Sequence, residues 1–494
     1  MPATSIFHEL KTLVRSMHPV VGIDSSEEER VEDLLRALAV ELRLPLFTWT
    51  VTRGLQRIDG TGIIHGTSDP GLLFRHLASL TVQGLFHLKD VAAHLGSAET
   101  ARAFREATHA FGRTRSTMVL SGHSVTLPAD FSRDMVRLQL HLPDRQELRH
   151  LVHRVLQSLR KQHPIRVSLD AGGMEALLNA LSGLTLNQAR QALARVMLDD
   201  NELTTDDIPQ LVKRKGETIR DAGLLEFYPP DENTFELGGF TRLKSWLARA
   251  QMGFTDEARA LGLPAPRGVL FVGVQGCGKS LAAKAIARAW RQPLLKLDAG
   301  RLYDKYVGES EKNLRKALDV AEATAPSVLW IDELEKAFAT GTNTDAGLSR
   351  RMLGSFLTWL QERQAPVFVA ATANDLSGVP PELLRKGRFD EIFFVDLPDA
   401  VERDAIFRIH LELRKQDASK FDLPALASAA NGFSGAEIEQ AVVSSLYRAL
   451  HDRQSLTTAL LLEEIGQTSP LSVSRREDIE RIREIGRARF VPVS

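Results

Sequence analysis

The strongest chemical signal in this chain is the eight-residue run GVQGCGKS, from Gly273 to Ser280. A loop of this composition wraps an anion with backbone N–H groups, because Gly273, Gly276 and Gly278 let the main chain come close and take positive φ. Lys279 is placed to neutralise the β- and γ-phosphates of a nucleoside triphosphate, and Ser280 to offer a hydroxyl to Mg²⁺. Cys277 lies within the loop. The apolar run GVLFV leads into it, and from Leu281 the segment LAAKAIARAW reads as a helix whose N-terminal dipole favours phosphate. A second apolar run, SVLWI, ends in Asp332-Glu333. Two carboxylates at the C-terminal edge of a strand stand beside the phosphate loop of a doubly wound sheet. Asp332 is expected to hold Mg²⁺ through its water shell and Glu333 to polarise the attacking water. ATP and Mg²⁺ are the cofactors this implies.

The elements that must position these groups alternate between strand and helix, the pattern of a parallel sheet covered on both faces. Two such stretches occur, about 19–142 and 267–397, and helix-rich segments follow each, about 144–225 and 400–490. The expected fold class is therefore α/β, with two modules in tandem. Residues 1–228 form the first, 229–400 the α/β part of the second and 401–494 its helical lid. Pro229-Pro230 is the linker candidate.

The halves also resemble each other. VFVAATANDLSGVPPELL followed by GRFDEIFFVDLPD is echoed by TMVLSGHSVTLPADF followed by SRDMVRLQLHLPD. Later, NGFSGAEIEQAVVSSLYRAL parallels LSGLTLNQARQALARVML. Three matches in one order indicate a duplication.

Bulk properties narrow the classes. The 494 residues, 43% hydrophobic and 25% charged, exceed one compact core and read as folded protein. A net charge of −1 supplies no general pull toward nucleic acid or anionic lipid. The single cysteine excludes an internal disulfide framework. No apolar run reaches the ~20 residues of a membrane span, and the N-terminus lacks a signal-peptide core. A cytoplasmic protein is expected.

The motifs around the third strand bring a family into view. Asn374 stands at the tip of VFVAATAND, and Arg385 and Arg388 lie in LRKGRFD. Here the sequence resembles the AAA+ ATPases, in particular the branch of katanin, spastin and the membrane-fusion ATPases. The resemblance implies that Asn374 senses the γ-phosphate and that Arg385 and Arg388 act as arginine fingers in a neighbouring subunit's site. It also implies a homo-oligomeric ring, hexameric by family precedent alone. FELGGF places Gly238 and Gly239 against the adenine, with Glu236 where the family has Asp. His410 takes the adenine or ribose contact, and Gly435-Ala436 the lid segment over the ribose. Lys305-Tyr306-Val307-Gly308 matches the pore loop that grips an extended polypeptide; a Tyr ring offers large contact area at low rotamer cost. Arg350-Arg351 fits a pair near the subunit boundary or a solvated helix face.

In the first half, VVGIDSSEEER stands where the phosphate loop should be, so Glu27, Glu28 and Glu29 replace the Gly-Lys-Ser core. Lys89 stands where Asp332 does, and Arg133 aligns with Arg388. Three carboxylates repel a triphosphate, so this module is expected to lack Walker motifs and hydrolysis. A degenerate module ahead of an active one resembles an AAA+ family named for a hypothetical chloroplast reading frame. The leading functional expectation is ATP-driven threading or remodelling of a protein substrate or partner, without membrane involvement. An ATP-switched scaffold is the alternative, and a nucleic-acid motor is disfavoured by the charge.

Overall fold

The computed structural model describes residues 3–25, 27–60, 62–122, 125, 127, 135–221, 223–230, 238–298, 302, 309–338, 346–363, 365–385 and 387–494. It divides into two compact units, Met1–Ile208 and Pro209–Ser494.

In the first unit, the strands are β1 (Val20–Asp24), β2 (Leu46–Thr50), β3 (Gly54–Arg57), β4 (Ile63–Ile64), β5 (Leu85–Lys89), β6 (Thr117–Gly122) and β7 (Met135–Gln139). They form one sheet in the order β4-β3-β2-β5-β6-β1-β7. The last five in that order run parallel, and β3 and β4 add an antiparallel edge. Alternate side chains reach opposite faces. Val21, Ile23, Val119 and Leu85 meet the N-terminal helix and the helix Glu28–Leu42 through Leu10, Val14, Leu35 and Leu38. Phe86, Leu88, Met118 and Leu120 meet the helices Pro70–Ser79 and Ala98–Thr114 through Phe74, Phe104 and Phe111. A helical segment follows, holding the short parallel pair β8 (Arg166–Val167) and β9 (Glu202–Leu203).

The second unit repeats the plan. Its strands are β10 (Leu225–Tyr228), β11 (Gly268–Gly273), β12 (Leu294–Leu297), β13 (Ser327–Ile331), β14 (Val367–Ala373), β15 (Glu391–Val395) and β16 (Val491–Pro492). The sheet order is β10-β12-β13-β14-β11-β15-β16. Five strands of each sheet therefore coincide in order: β2-β5-β6-β1-β7 matches β12-β13-β14-β11-β15. Strands β11, β13 and β14 are buried end to end, as near-continuous apolar runs must be when helices cover both faces. The lid helices Ala400–Leu413, Leu423–Ala429, Gly435–His451 and Thr458–Gln467 close around Phe407, Leu411, Leu426, Phe433 and Ile438.

Two expected boundaries are corrected. β10 belongs to the second sheet, not to a first module ending at 228, because it pairs antiparallel with β12 and buries Leu225 and Phe227 there. Residues 401–494 are not all lid. Ile479, Ile482, Phe490 and Val493 return the helix Arg476–Arg489 and β16 to the sheet, where β16 pairs with β15.

The same capping chemistry starts corresponding helices in both units. Asp144 with Glu147 and Asp399 with Glu402 form capping boxes after L-P, as do Thr185 with Gln188 and Ser434 with Glu437. These pairs fall within the segments that the sequence matches.

Candidate active site

β11 lies between β14 and β15, so the loop that leaves its C-terminal end emerges at the middle of the sheet edge. Gly273 takes φ +138°, and a Cβ there would overlap the Val395 carbonyl oxygen. Gly278 takes φ +93° as the N-cap of the helix Lys279–Ala289, whose first N–H groups face the loop. Gly276 turns its carbonyl to accept from Ala436 N at 3.0 Å, which ties the phosphate loop to the lid.

Lys279 is 5% exposed and curls back into the loop, donating to the carbonyls of Gly273 (2.9 Å) and Val274 (2.7 Å). Burial lowers its ammonium to about 8. An anion in the loop would offset that desolvation. Cys277 is buried beside it, and burial pushes its thiol up to about 12, so it is a packed neutral group and not a nucleophile. Leu281 follows on the first turn of the helix, half-buried.

Asp332 gathers the next groups. Its Oδ1 accepts from Ser280 Oγ at 3.1 Å and from Thr372 Oγ1 at 2.6 Å. Thr372 Oγ1 in turn accepts from Glu333 N at 3.1 Å. This threonine links the two strand tips, β13 and β14, and the sequence reading gave it no role. Its signal was a single hydroxyl in the otherwise apolar run VFVAATA. Among the described residues no cluster of three or more His, Cys, Asp or Glu side chains stands ready to hold a metal. Ser280 with Asp332 therefore suits Mg²⁺, which takes one or two protein oxygens and completes its shell with phosphate and water.

Glu333 adopts left-handed backbone, φ 51° and ψ 60°, a conformation uncommon for a non-glycine residue and concentrated at functional sites. Its Oε1 accepts from Asn374 Nδ2 at 3.3 Å, and Oε2 pairs with Lys336 Nζ at 2.7 Å. Asn374 is held from behind: its backbone N donates to Glu335 Oε1 at 3.1 Å. Glu335 is buried, and that burial raises its carboxyl above the usual range. It too was missed, since D-E-L-E gives no hint which carboxylate turns inward.

Gly238, Phe240, Cys277, Glu402, Ile406 and Gly435 line one cavity with residues 394–398 and 492–494. Gly239 adjoins it, at φ +77°, and a Cβ there would overlap the Glu402 carboxylate. His410 is not part of that lining. It lies one helical turn beyond Ile406, with Nδ1 3.3 Å from Arg414 Nη1, while Arg414 Nη2 bonds Glu439 at 2.8 Å. Burial lowers its imidazole below the usual value. The side chains in van der Waals reach of Gly238 are Ile406 and Ala405.

The two arginines of LRKGRFD differ. Arg388 Nη1 donates to the Leu357 carbonyl at 3.0 Å, so it braces its own subunit. Arg385 is exposed, and no hydrogen bond or ion pair engages its guanidinium among the described residues. Arg350 and Arg351 are exposed on the helix Ala346–Glu362. Lys305, Tyr306, Val307 and Gly308 lie outside the described residues, as do Arg133 and Glu236.

At the corresponding place in the first unit, three residues separate β1 from the helix Glu28–Leu42. Glu27 Oε1 accepts from Leu186 N at 2.7 Å, the first residue of the helix that corresponds to Gly435–His451. Its Oε2 pairs with Arg30 at 3.1 Å, and Arg30 forks onto Glu147 and donates to the His141 carbonyl at 2.6 Å. Lys89 pairs with Glu32 at 2.9 Å and Glu28 at 3.4 Å.

The comparisons agree with this geometry. The model for the ATPase family associated with various cellular activities (AAA) matches residues 269–397, and an AAA+ lid domain matches 420–463. Models for the N-terminal and second domains of SpoVK-like AAA ATPases match 6–140 and 146–222. A protein of Guillardia theta named "Uncharacterized AAA domain-containing protein ycf46" is 36% identical over 485 residues, 97% of this chain and 94% of the relative. Proteins of the same name from Trieres chinensis (36% over 469 residues, 94% of this chain and 93% of the relative) and Pyropia yezoensis (33% over 479, 96% of each) also match. Since the likeness spans both units and the phosphate loop, acidic pair and lid converge as described, the chain is an ATPase of the AAA class and belongs to the ycf46 family of AAA domain-containing proteins.

Proposed function

We propose that this ATPase works as a homo-oligomeric ring, hexameric by analogy with other AAA+ proteins, that couples ATP hydrolysis to remodelling or threading of a protein substrate. In this reading Ser280 and Asp332 would hold Mg²⁺, which would supply positive charge to the phosphates. Glu333 polarises the attacking water, and Asn374 orients both that water and the γ-phosphate. Lys279 leaves the Gly273 and Val274 carbonyls for phosphate oxygens. Cytoplasmic action and kinship to the katanin and spastin branch belong to the same reading; the latter rests on the LRKGRFD and Tyr306-Val307-Gly308 motifs.

The observation that carries the ring is Arg385. Its guanidinium is exposed and has no partner in its own chain among the described residues, although it stands two residues from a braced glycine turn. A cation held out on a short loop is suited to completing a neighbour's site. For related phosphoryl transfers an arginine supplied in trans is worth about 10³ to 10⁵ in rate. Specific ATPase activity is therefore expected to rise steeply with protein concentration, and activity that stays flat on dilution into the nanomolar range argues against the ring. Tyr306→Ala is expected to abolish remodelling of an unfolded protein probe while sparing basal turnover. If biological activity instead survives Glu333→Gln, which keeps ATP but cannot split it, the ATP-switched scaffold is the correct reading.

The first unit, in the same reading, carries no nucleotide and serves as a fixed platform for the ring or its partners. What supports this is the occupancy of its loop by Glu27, Arg30 and Glu147, and the reversed pair Lys89–Glu28.

A further inference from the structure

The lid carries a buried charge that the nucleotide chemistry does not employ. Arg403, on the first lid helix Ala400–Leu413, is 7% exposed. Its Nε donates to the Ala427 carbonyl at 2.7 Å and its Nη1 to the Pro398 carbonyl at 2.8 Å. Nη2 bonds nothing among the described residues, and no carboxylate there pairs with the guanidinium. An arginine sunk this far normally brings its counter-charge with it, because neutral carbonyls leave the positive charge itself unanswered.

The first unit shows that the fold does not ask for a cation at this place. Arg403 is the fourth residue after the helix cap Asp399, in LPDAVER. The fourth after the matching cap Asp144, in LPDRQEL, is Leu148, fully buried. Leucine therefore suffices where the helix needs only packing, and the charge in the second unit has another use.

Arg403 lines an open groove of about 470 Å³ beside the helix Leu423–Ala429, within the ~300 to 1,000 Å³ of ligand sites. It is the only cation in that lining. Val401, Pro424 and Ala427 supply apolar wall, Ser428 and Asn431 supply hydrogen-bonding groups, and Asp404 supplies a carboxylate. We propose that this groove docks an extended segment of a partner protein, which places one Asp or Glu carboxylate on the Arg403 guanidinium.

The chemistry selects the occupant. With Nε and Nη1 on carbonyls, Nη2 is the group left for a single oxygen, not a fork for phosphate. Asp404, paired with Arg408 at 3.3 Å, borders the groove and repels a phosphate dianion more than a carboxylate. An open groove leaves much of a small molecule in water. An extended chain instead lays alternate side chains into it, with Ser428 and Asn431 to bond its main chain and Val401, 78% exposed, to meet its apolar groups. The site stands whether or not the ATPase threads its substrate.

The test selects random octapeptides on the full-chain protein, with Val401→Asp protein as the counter-selection. Val401 is exposed, so that variant keeps the lid while setting a like charge against the ligand. Peptides sharing an Asp or Glu are expected. Changing that residue to Asn or Gln should weaken binding about ten-fold by fluorescence polarisation, the worth of one charge-assisted hydrogen bond. Arg403→Leu, which installs the first unit's residue, should abolish that difference. No peptide enriched over the counter-selection, or peptides indifferent to the amide change, overturns the proposal. So does inorganic phosphate binding in the groove in place of acidic peptides. Self-association that Val401→Asp abolishes, with no acidic peptide selected, overturns it in favour of a contact between copies.

Discussion

The two units lay five parallel strands in the same order, yet their loops after the central strand do opposite things. β11 passes to its helix through five residues, 274–278, with glycine at the cap; β1 passes to its helix through three, 25–27, with glutamate at the cap. In the second unit the loop leaves a lysine beside an aspartate, Lys279 near Asp332. In the first the signs are exchanged, Glu28 beside Lys89. The tie to the lid survives in both, as Gly276 O to Ala436 N and as Glu27 Oε1 to Leu186 N. The architecture therefore tolerates an internal carboxylate in the loop as long as its partners come with it. Arg30, forked onto Glu147 and tied to Glu27, is the cation that makes those carboxylates tolerable.

The largest effect that would sharpen this contrast is catalytic. Glu333→Gln is expected to lower kcat by about 10² to 10⁴, the worth of a positioned general base, with ATP still retained. Lys89→Ala in the first unit is expected to leave kcat within two-fold, read in the same steady-state assay. Comparable losses from both would break the division of labour.

Next in size is stability. Arg30→Ala leaves Glu27 and Glu147 without their shared cation in a mostly buried setting, at an expected cost of about 3 to 5 kcal/mol to the first unit. Urea unfolding followed by the Trp49 fluorescence of that unit would measure it; a loss below about 1 kcal/mol would show the network to be surface decoration.

A pH effect of about ten-fold comes third. Because burial holds Lys279 near 8, a triphosphate that requires the ammonium binds at full strength below that pH. Above it, binding must first take up a proton, so affinity is expected to fall about ten-fold by pH 9. Calorimetry in two buffers of different ionisation enthalpy would register the proton uptake, and affinity level from pH 7 to 9 would contradict it. The smallest expected change is none: Glu27→Gly with Glu28→Lys should leave binding at one nucleotide per chain, since a three-residue loop is too short to wrap a phosphate. A second equivalent by calorimetry would overturn that account.

Legibility followed chemistry. Residues 273–280, Asp332 and Glu333 were readable because a phosphate loop needs glycines, a lysine and a hydroxyl in fixed order on a strand-to-helix turn, and the structure brings these groups together. Asn374 was named by the family resemblance, and the structure sets its Nδ2 against Glu333. His410 was assigned by resemblance to the base, yet it turns to Arg414 and Glu439 while Ile406 takes the place beside Gly238. Helical periodicity puts both on one face and cannot say which turn meets the pocket.

From the residues alone came the α/β class, the likeness of the two halves and the phosphate-loop chemistry of the second, together with the expectation that the first half lacks that chemistry. Each is written in local order, in loop composition and in charge. Only the folded chain could show that Thr372 joins Asp332 to Glu333, that Glu335 turns inward to hold Asn374, and that Arg388 braces its own subunit while no described residue pairs with the Arg385 guanidinium. It also decided that residues 92 and 254 positions apart, Ser494 with Glu402 and Phe240, close one cavity. Contacts of that kind depend on which strand edges meet, and edge pairing of a two-residue strand leaves no periodic trace in a sequence.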